Sequence, residues 1–192
     1  MYYPLMLITL VFFVFTSSCD RGNHIIWKAN NPSSDNLDSM KVIIPYDQMT
    51  AVLHGEIISD ASGEILSRSN KYKLLRYIDE DECSICQIKS LYQWDEIMDL
   101  IGRERLDLLL IICPGDSLMV SATLSVLQQY YFSYPVWFDE ASRFTEVNIK
   151  LCQSHRRKCF LIDPEGNLVY CGDPTINISS REKIADIVYV DK

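Results

Sequence analysis

Two apolar runs, Tyr72 to Ile78 and Leu106 to Cys113, constrain what this chain folds into more than any other feature. Each has the length of a strand, and neither shows the strict apolar–polar alternation of a strand with one wet face. Strands of this kind are covered on both sides, as in a sheet buried between helices. Between them, Ser84 to Gly102 carries Ile85, Ile88, Leu91, Tyr92, Met98 and Ile101 at helical spacing, with Gly102 as the stop. Beyond them the pattern predicts a helix over Ser117–Tyr131, a short strand over Pro135–Phe138 and a helix from Glu140 to about Leu151. A strand over Cys159–Asp163, the turn Pro164-Glu165-Gly166-Asn167 and a returning strand over Leu168–Cys171 follow, then a helix over Ser180–Val190. Upstream, Val42-Ile43-Ile44 and Val52 to Ile58 are two further strand candidates, and Ser59 to Asn70 reads as a loop or hairpin. The order predicts an α/β three-layer sandwich, a mixed central sheet with helices on both faces and right-handed crossovers. With 48% hydrophobic residues in 192, the chain has ample material for such a core.

The N-terminus reads as an export signal. Leu5 to Phe15 is apolar, too short to span a bilayer but of signal-peptide length. Its ending, Phe15-Thr16-Ser17-Ser18-Cys19, resembles a bacterial lipobox, which implies lipidation of Cys19; an ordinary signal peptide or short anchor is the other reading. The expected organisation is a signal peptide over 1–18, the lipidated Cys19 with a polar tether and N-terminal extension over 19–71, and the folded domain over 72–192. Such a chain is held at the membrane through its lipid, in the cell envelope, facing the periplasm or the outer surface. A formal net charge of −8 speaks against nucleic acid as a partner. No phosphate loop, nucleophile elbow or paired-carboxylate constellation is visible, and no cofactor is expected.

The chemistry concentrates in Cys83-Ser84-Ile85-Cys86, between the first apolar run and the helix after it. Cysteines spaced i, i+3 at a helix start lie side by side on its first turn, where the positive helix end favours a thiolate. Thiol–disulfide exchange requires this arrangement, and so does half a zinc site. Cys152-Gln153-Ser154-His155 repeats the spacing and completes a formal Cys₃His set. The long separation between the halves and an oxidising compartment favour a disulfide, so no metal is expected. Cys113 reads as a buried small hydrophobe. In a hairpin that pairs Asp163 with Leu168, Cys171 faces Phe160, and the sulfurs of Cys159 and Cys171 point to opposite faces unless a bulge intervenes. Trp94 reads as packing. The aromatic group from Tyr130 to Phe138 reads as core and corner, with a partner surface as the alternative.

The strand, the tetrad opening a helix and the hairpin Cys159-Phe160-Leu161-Ile162-Asp163-Pro164-Glu165-Gly166-Asn167-Leu168-Val169-Tyr170 together resemble the thioredoxin superfamily. The similarity is greatest to its TlpA-like extracytoplasmic branch, in particular the thioredoxin-like lipoproteins of Bacteroidota, and covers roughly Tyr72 to Lys192. Ser117 to Phe138 matches the extra helix and strand of that branch. The resemblance implies a thioredoxin-like fold and dithiol–disulfide exchange with protein partners, in which Cys83 attacks and Cys86 resolves. Several positions depart from the family pattern. Glu82 stands where a tryptophan is common, Ser84-Ile85 replace Gly-Pro, and Arg157 falls where the family carries a cis-proline. Glu82 and Arg157 are thus candidate site-shaping residues, and His155, which reads first as a loop histidine, joins them as one that could tune the thiols by proximity. Peroxiredoxins have an arginine near this place, but their Pro-x-x-x-Thr-x-x-Cys context is missing before Cys83. The carboxylates of Asp79, Glu80, Asp81 and Glu82 oppose the helix end and predict a less stabilised thiolate, hence a reducing couple. The alternative is a redox-inert thioredoxin-fold lipoprotein that binds a partner in the envelope.

Overall fold

A computed structural model describes residues 40–58, 69–154 and 159–190. Its strands are β1 (Thr50–Leu53), β2 (Glu56–Ile57), β3 (Tyr72–Ile78), β4 (Leu106–Ile112), β5 (Val136–Phe138), β6 (Cys159–Ile162) and β7 (Leu168–Cys171). Its α-helices are α1 (Ser84–Lys89), α2 (Tyr92–Ile101), α3 (Ser117–Tyr130), α4 (Arg143–Val147), α5 (Ile149–Ser154) and α6 (Ile178–Val190). The strands form one mixed sheet in the order β2-β1-β5-β4-β3-β6-β7. β3 pairs parallel with β4 and antiparallel with β6, and β4 pairs parallel with β5. A parallel pair needs a crossover, and α1–α2 and α3 supply the two required. β1 and β2, from the N-terminal extension, complete the sheet at one edge.

Alternate residues of the apolar strands feed two cores. Leu74, Ile78, Leu108, Leu110 and Ile112 meet Ile88, Trp94, Met98 and Ile101 of α1 and α2, Leu127 of α3, and Ile184 and Val188 of α6. Leu75, Tyr77, Leu109, Ile111 and Cys113 meet Phe144, Leu151 and Val42 on the other face. Trp94 and Cys113 are buried as expected. This is the three-layer α/β sandwich with its helix–strand insert.

Four elements differ from the sequence reading. The helix expected over Ser84–Gly102 breaks at Ser90, whose Oγ donates to the Gln87 carbonyl at 2.8 Å. The turns there tighten to i→i+3 bonds, Leu91 N–H to Ile88 O and Trp94 N–H to Leu91 O, each 3.0 Å. The helix expected over Glu140–Leu151 divides at Asn148 into α4 and α5. That side chain bonds both the N–H and the carbonyl of Ile43 as well as the Phe144 carbonyl. The same bonds explain why Val42–Ile44 is not a strand: its backbone is spent on Asn148 and on the β6–β7 turn, where Val42 N–H meets Gly166 O at 2.9 Å. The strand expected over Val52–Ile58 is a hairpin, β1–β2, turning through His54 and Gly55 at φ of 52° and 82°. Residues 59–68 of the expected loop lie outside the described residues.

The turn of this hairpin docks on the C-terminal end of α3. The His54 ring stacks on Tyr131 with centroids 4.0 Å apart, and a Cβ at Gly55 would stand 2.7 Å from both Gln128 Cβ and the Leu124 carbonyl oxygen. Phe132, Trp137 and Phe138 of the aromatic group are buried, whereas Tyr130 and Tyr131 are exposed. Gly55→Ala combines a left-handed backbone with overpacking and is expected to cost about 2 kcal/mol. Urea unfolding of the purified chain checks this, and an unchanged midpoint would mean that the turn is not seated on α3.

Candidate active site

β3 delivers the chain to the site at its C-terminal end. After Ile78 a turn closed by the Glu82 N–H on the Asp79 carbonyl, at 3.1 Å, leads into Cys83, the N-cap residue of α1. Cys83 is extended (φ −69°, ψ 94°), and its Sγ accepts the Cys86 backbone N–H at 3.2 Å. Cys83 and Cys86 are joined as a disulfide, with Cα atoms 5.2 Å apart. Both cysteines are exposed, while Ser84 between them is buried and Ile88 roots the helix in the core. Because α1 is only six residues long, stabilisation of a Cys83 thiolate falls to this first-turn N–H rather than to a long helix dipole.

Against the turn that leads into Cys83 lies a residue that the sequence did not single out. Arg76, in the middle of β3, is 3% exposed and on the same sheet face as Leu74 and Ile78. Its guanidinium engages Glu82 as a fork on a fork: Nη1 donates to Oε1 at 3.3 Å and Nη2 donates to Oε2. Nη1 also donates to the Tyr77 carbonyl at 2.5 Å. Bidentate arginine–carboxylate pairs fix geometry as well as charge. Glu82, with a side chain 26% exposed, therefore turns down into the protein immediately before the first cysteine. A signal for Arg76 was present in the sequence: a charge inside an otherwise near-apolar strand needs a partner, and Glu82 is near in sequence.

Opposite Arg76 in the register stands Cys159 of β6, fully buried. Burial pushes its thiol well above the ordinary value; Asp173 adds to the rise and Arg76 works against it. Cys171 sits opposite Phe160, as expected, although the hairpin pairs Ile162 rather than Asp163 with Leu168 through a register shift after Leu161. Cys159 packs in one core and Cys171 against the other, and neither is in a disulfide. Burial pushes the Cys171 thiol up to about 12. Cys152 is buried on α5, in the layer across the sheet from α1. Among the described residues no group of three or more metal-ligating side chains converges, so Cys152 does not join Cys83 and Cys86. His155 and Arg157, like Cys19, lie outside the described residues.

Two outcomes follow. Glu82→Ala strands a buried guanidinium and is expected to destabilise the fold by about 3 kcal/mol, measured by chemical denaturation; a loss below 0.5 kcal/mol (roughly the scatter of a surface substitution) would show that the pair is not held in solution. After reduction at pH 8, iodoacetamide should modify Cys83 and Cys86 but spare Cys159 and Cys171, read by peptide mass. Thiol reactivity follows the thiolate, so labelling of Cys171 should grow only as pH climbs toward 12. Prompt labelling of Cys171 at pH 8 would contradict the raised pKa of its thiol.

No protein-family model matches the sequence, and no curated protein matches it. Solved structures do. A putative thiol-disulfide oxidoreductase from Bacteroides vulgatus superposes with a TM-score of 0.50 at 11% identity, over 74% of this chain and 86% of that one. A putative thiol:disulfide interchange protein DsbE from Chlorobium tepidum gives 0.47 at 11%, over 76% and 94%. StoA from Bacillus subtilis gives 0.45 at 14%, over 64% and 83%. At 11% identity the likeness to the Bacteroides vulgatus structure is one of fold, and with the sheet order and the helix–strand insert it identifies a thioredoxin-like fold.

Proposed function

We propose that this protein is a lipid-anchored, extracytoplasmic thiol–disulfide oxidoreductase that acts on protein disulfides through Cys83 and Cys86. The observation that carries this reading is the exposed Cys83–Cys86 disulfide, at the start of a helix that follows the buried strand β3 of a thioredoxin-like sheet. Exposed disulfides are the labile, regulatory or catalytic ones; here both cysteines face solvent and Ser84 is packed instead. The Bacteroides vulgatus neighbour is described as a putative thiol-disulfide oxidoreductase, which supports the exchange reading.

In the reducing direction, a dithiol donor first converts the disulfide to two thiols. Cys83, as thiolate, attacks one sulfur of a partner's disulfide; a mixed disulfide forms and one partner thiolate leaves. Cys86, as thiolate, then attacks Cys83 Sγ, restoring the Cys83–Cys86 disulfide and expelling the second partner thiolate. Two electrons pass to the partner, and the protons lost by Cys83 and Cys86 end on its two thiols. The Cys86 N–H already directed at Cys83 Sγ supports the nucleophile before attack.

Attachment to the envelope rests on the N-terminal segment. Among the described residues no helix is long and apolar enough to cross a membrane. The lipobox-like stretch ending at Cys19 supplies the anchor, and 20–39 the tether.

Cys86→Ser should accumulate mixed disulfides with envelope proteins through Cys83, visible as reductant-sensitive bands, and adding Cys83→Ser should abolish them. Absence of adducts with intact folding would overturn the exchange reading in favour of a redox-inert binding module. Cys19→Ala should move the protein from the membrane fraction to the soluble fraction and stop incorporation of labelled fatty acid. Unchanged fractionation would refute the lipid anchor.

A further inference from the structure

We infer that Arg76 is a positioning residue for thiol–disulfide exchange, acting through Glu82 to cancel the carboxylate nearest Cys83. This rests on the exchange reading above. The acids on the loop that leads into Cys83 are Asp79, Glu80, Asp81 and Glu82; Gly115, before α3 with its N-cap Asp116, lies against Glu80, and Asp173 beyond β7 acts on Cys159. Cys159 faces Arg76 from β6 as a buried, neutral thiol. Among the described residues, Arg76 is the cation that pairs with an acid of this loop.

Its placement is hard to explain as packing. β3 is buried at all seven positions, and the neighbours of Arg76 on its face are Leu74 and Ile78. A leucine or methionine would fill such a site, since exchanging a buried ion pair for apolar residues is usually neutral or stabilising. Retaining a guanidinium there makes sense through what it holds. That is Glu82, gripped at both oxygens one residue before Cys83, and the Tyr77 carbonyl behind it. Pairing offsets the charge of the carboxylate and fixes the residue that leads into the N-cap. Of four successive acids, the one covalently next to Cys83 is neutralised where it stands, and Glu80 and Asp81 face solvent that screens them.

The test is a charge cycle in the reduced full chain carrying Cys86→Ser, with iodoacetamide labelling of Cys83 followed against pH by peptide mass. Arg76→Met, which frees the Glu82 charge, should raise the midpoint of the labelling profile by roughly one pH unit. Glu82→Gln, which frees Arg76, should lower it by a similar amount. The double variant should return close to the parent, and Arg76→Lys should fall between the parent and Arg76→Met. Equal midpoints throughout, or single variants that shift in the same direction, would overturn the inference. If Arg76→Met fails to fold, Glu82→Gln and Arg76→Lys decide alone through the opposite signs expected of them. Labelling needs no protein partner, so a chain that never exchanges with proteins still yields these midpoints, and the two readings fail separately.

Discussion

The rest of this structure depends on the burial of β3. A strand paired on both edges and covered on both faces has no freedom to slip, and its register with β4 and β6 places every neighbouring element. Parallel pairing with β4 forces the chain to leave at the C-terminal end of β3 and cross over the sheet. The first residues of that crossover are the acidic turn and the two cysteines. The site is thus a consequence of topology: the disulfide stands where a fully buried strand hands over to its crossover helix. The strand below is buried and the cysteines above are exposed, an arrangement that suits the exchange proposed for them.

The same strand contributes the electrostatics. Four successive carboxylates before a cysteine would, taken alone, disfavour its thiolate. The structure divides them: Glu82 is turned inward onto Arg76, while the Asp79–Asp81 stretch forms the turn. A short α1 and a single directed N–H then act on Cys83 where a long helix was expected. The acidic sequence overstated the repulsion and the helical periodicity overstated the dipole. These two corrections have opposite signs, and both act within one residue of the sulfur.

Legibility followed the physics of each signal. Tyr72–Ile78 and Leu106–Ile112 were plain because doubly buried strands leave near-continuous apolar runs, and the tetrad was plain because its spacing has few other uses. The breaks at Ser90 and Asn148 were hidden because each depends on a side chain bonding backbone carbonyls, which leaves the apolar period untouched. The β1–β2 hairpin was hidden because its turn, His54-Gly55, is specified by a fit against α3 far along the chain. Arg76 was missed because a period count treats a charge in a strand as noise. Its partner is six residues away, but only the fold shows them meeting.

The central claim is that Cys83 and Cys86 form a reversible two-electron couple rather than a fixed brace. Equilibrating the full chain in graded dithiol–disulfide buffers, and reading the fraction of Cys83–Cys86 disulfide by mass, tests it directly. A single reversible transition with a midpoint below about −180 mV, changing tenfold in ratio per roughly 30 mV, is the expected result. A midpoint above that value would contradict the reducing character of the pair, and a disulfide that opens only when the protein unfolds would contradict the couple itself.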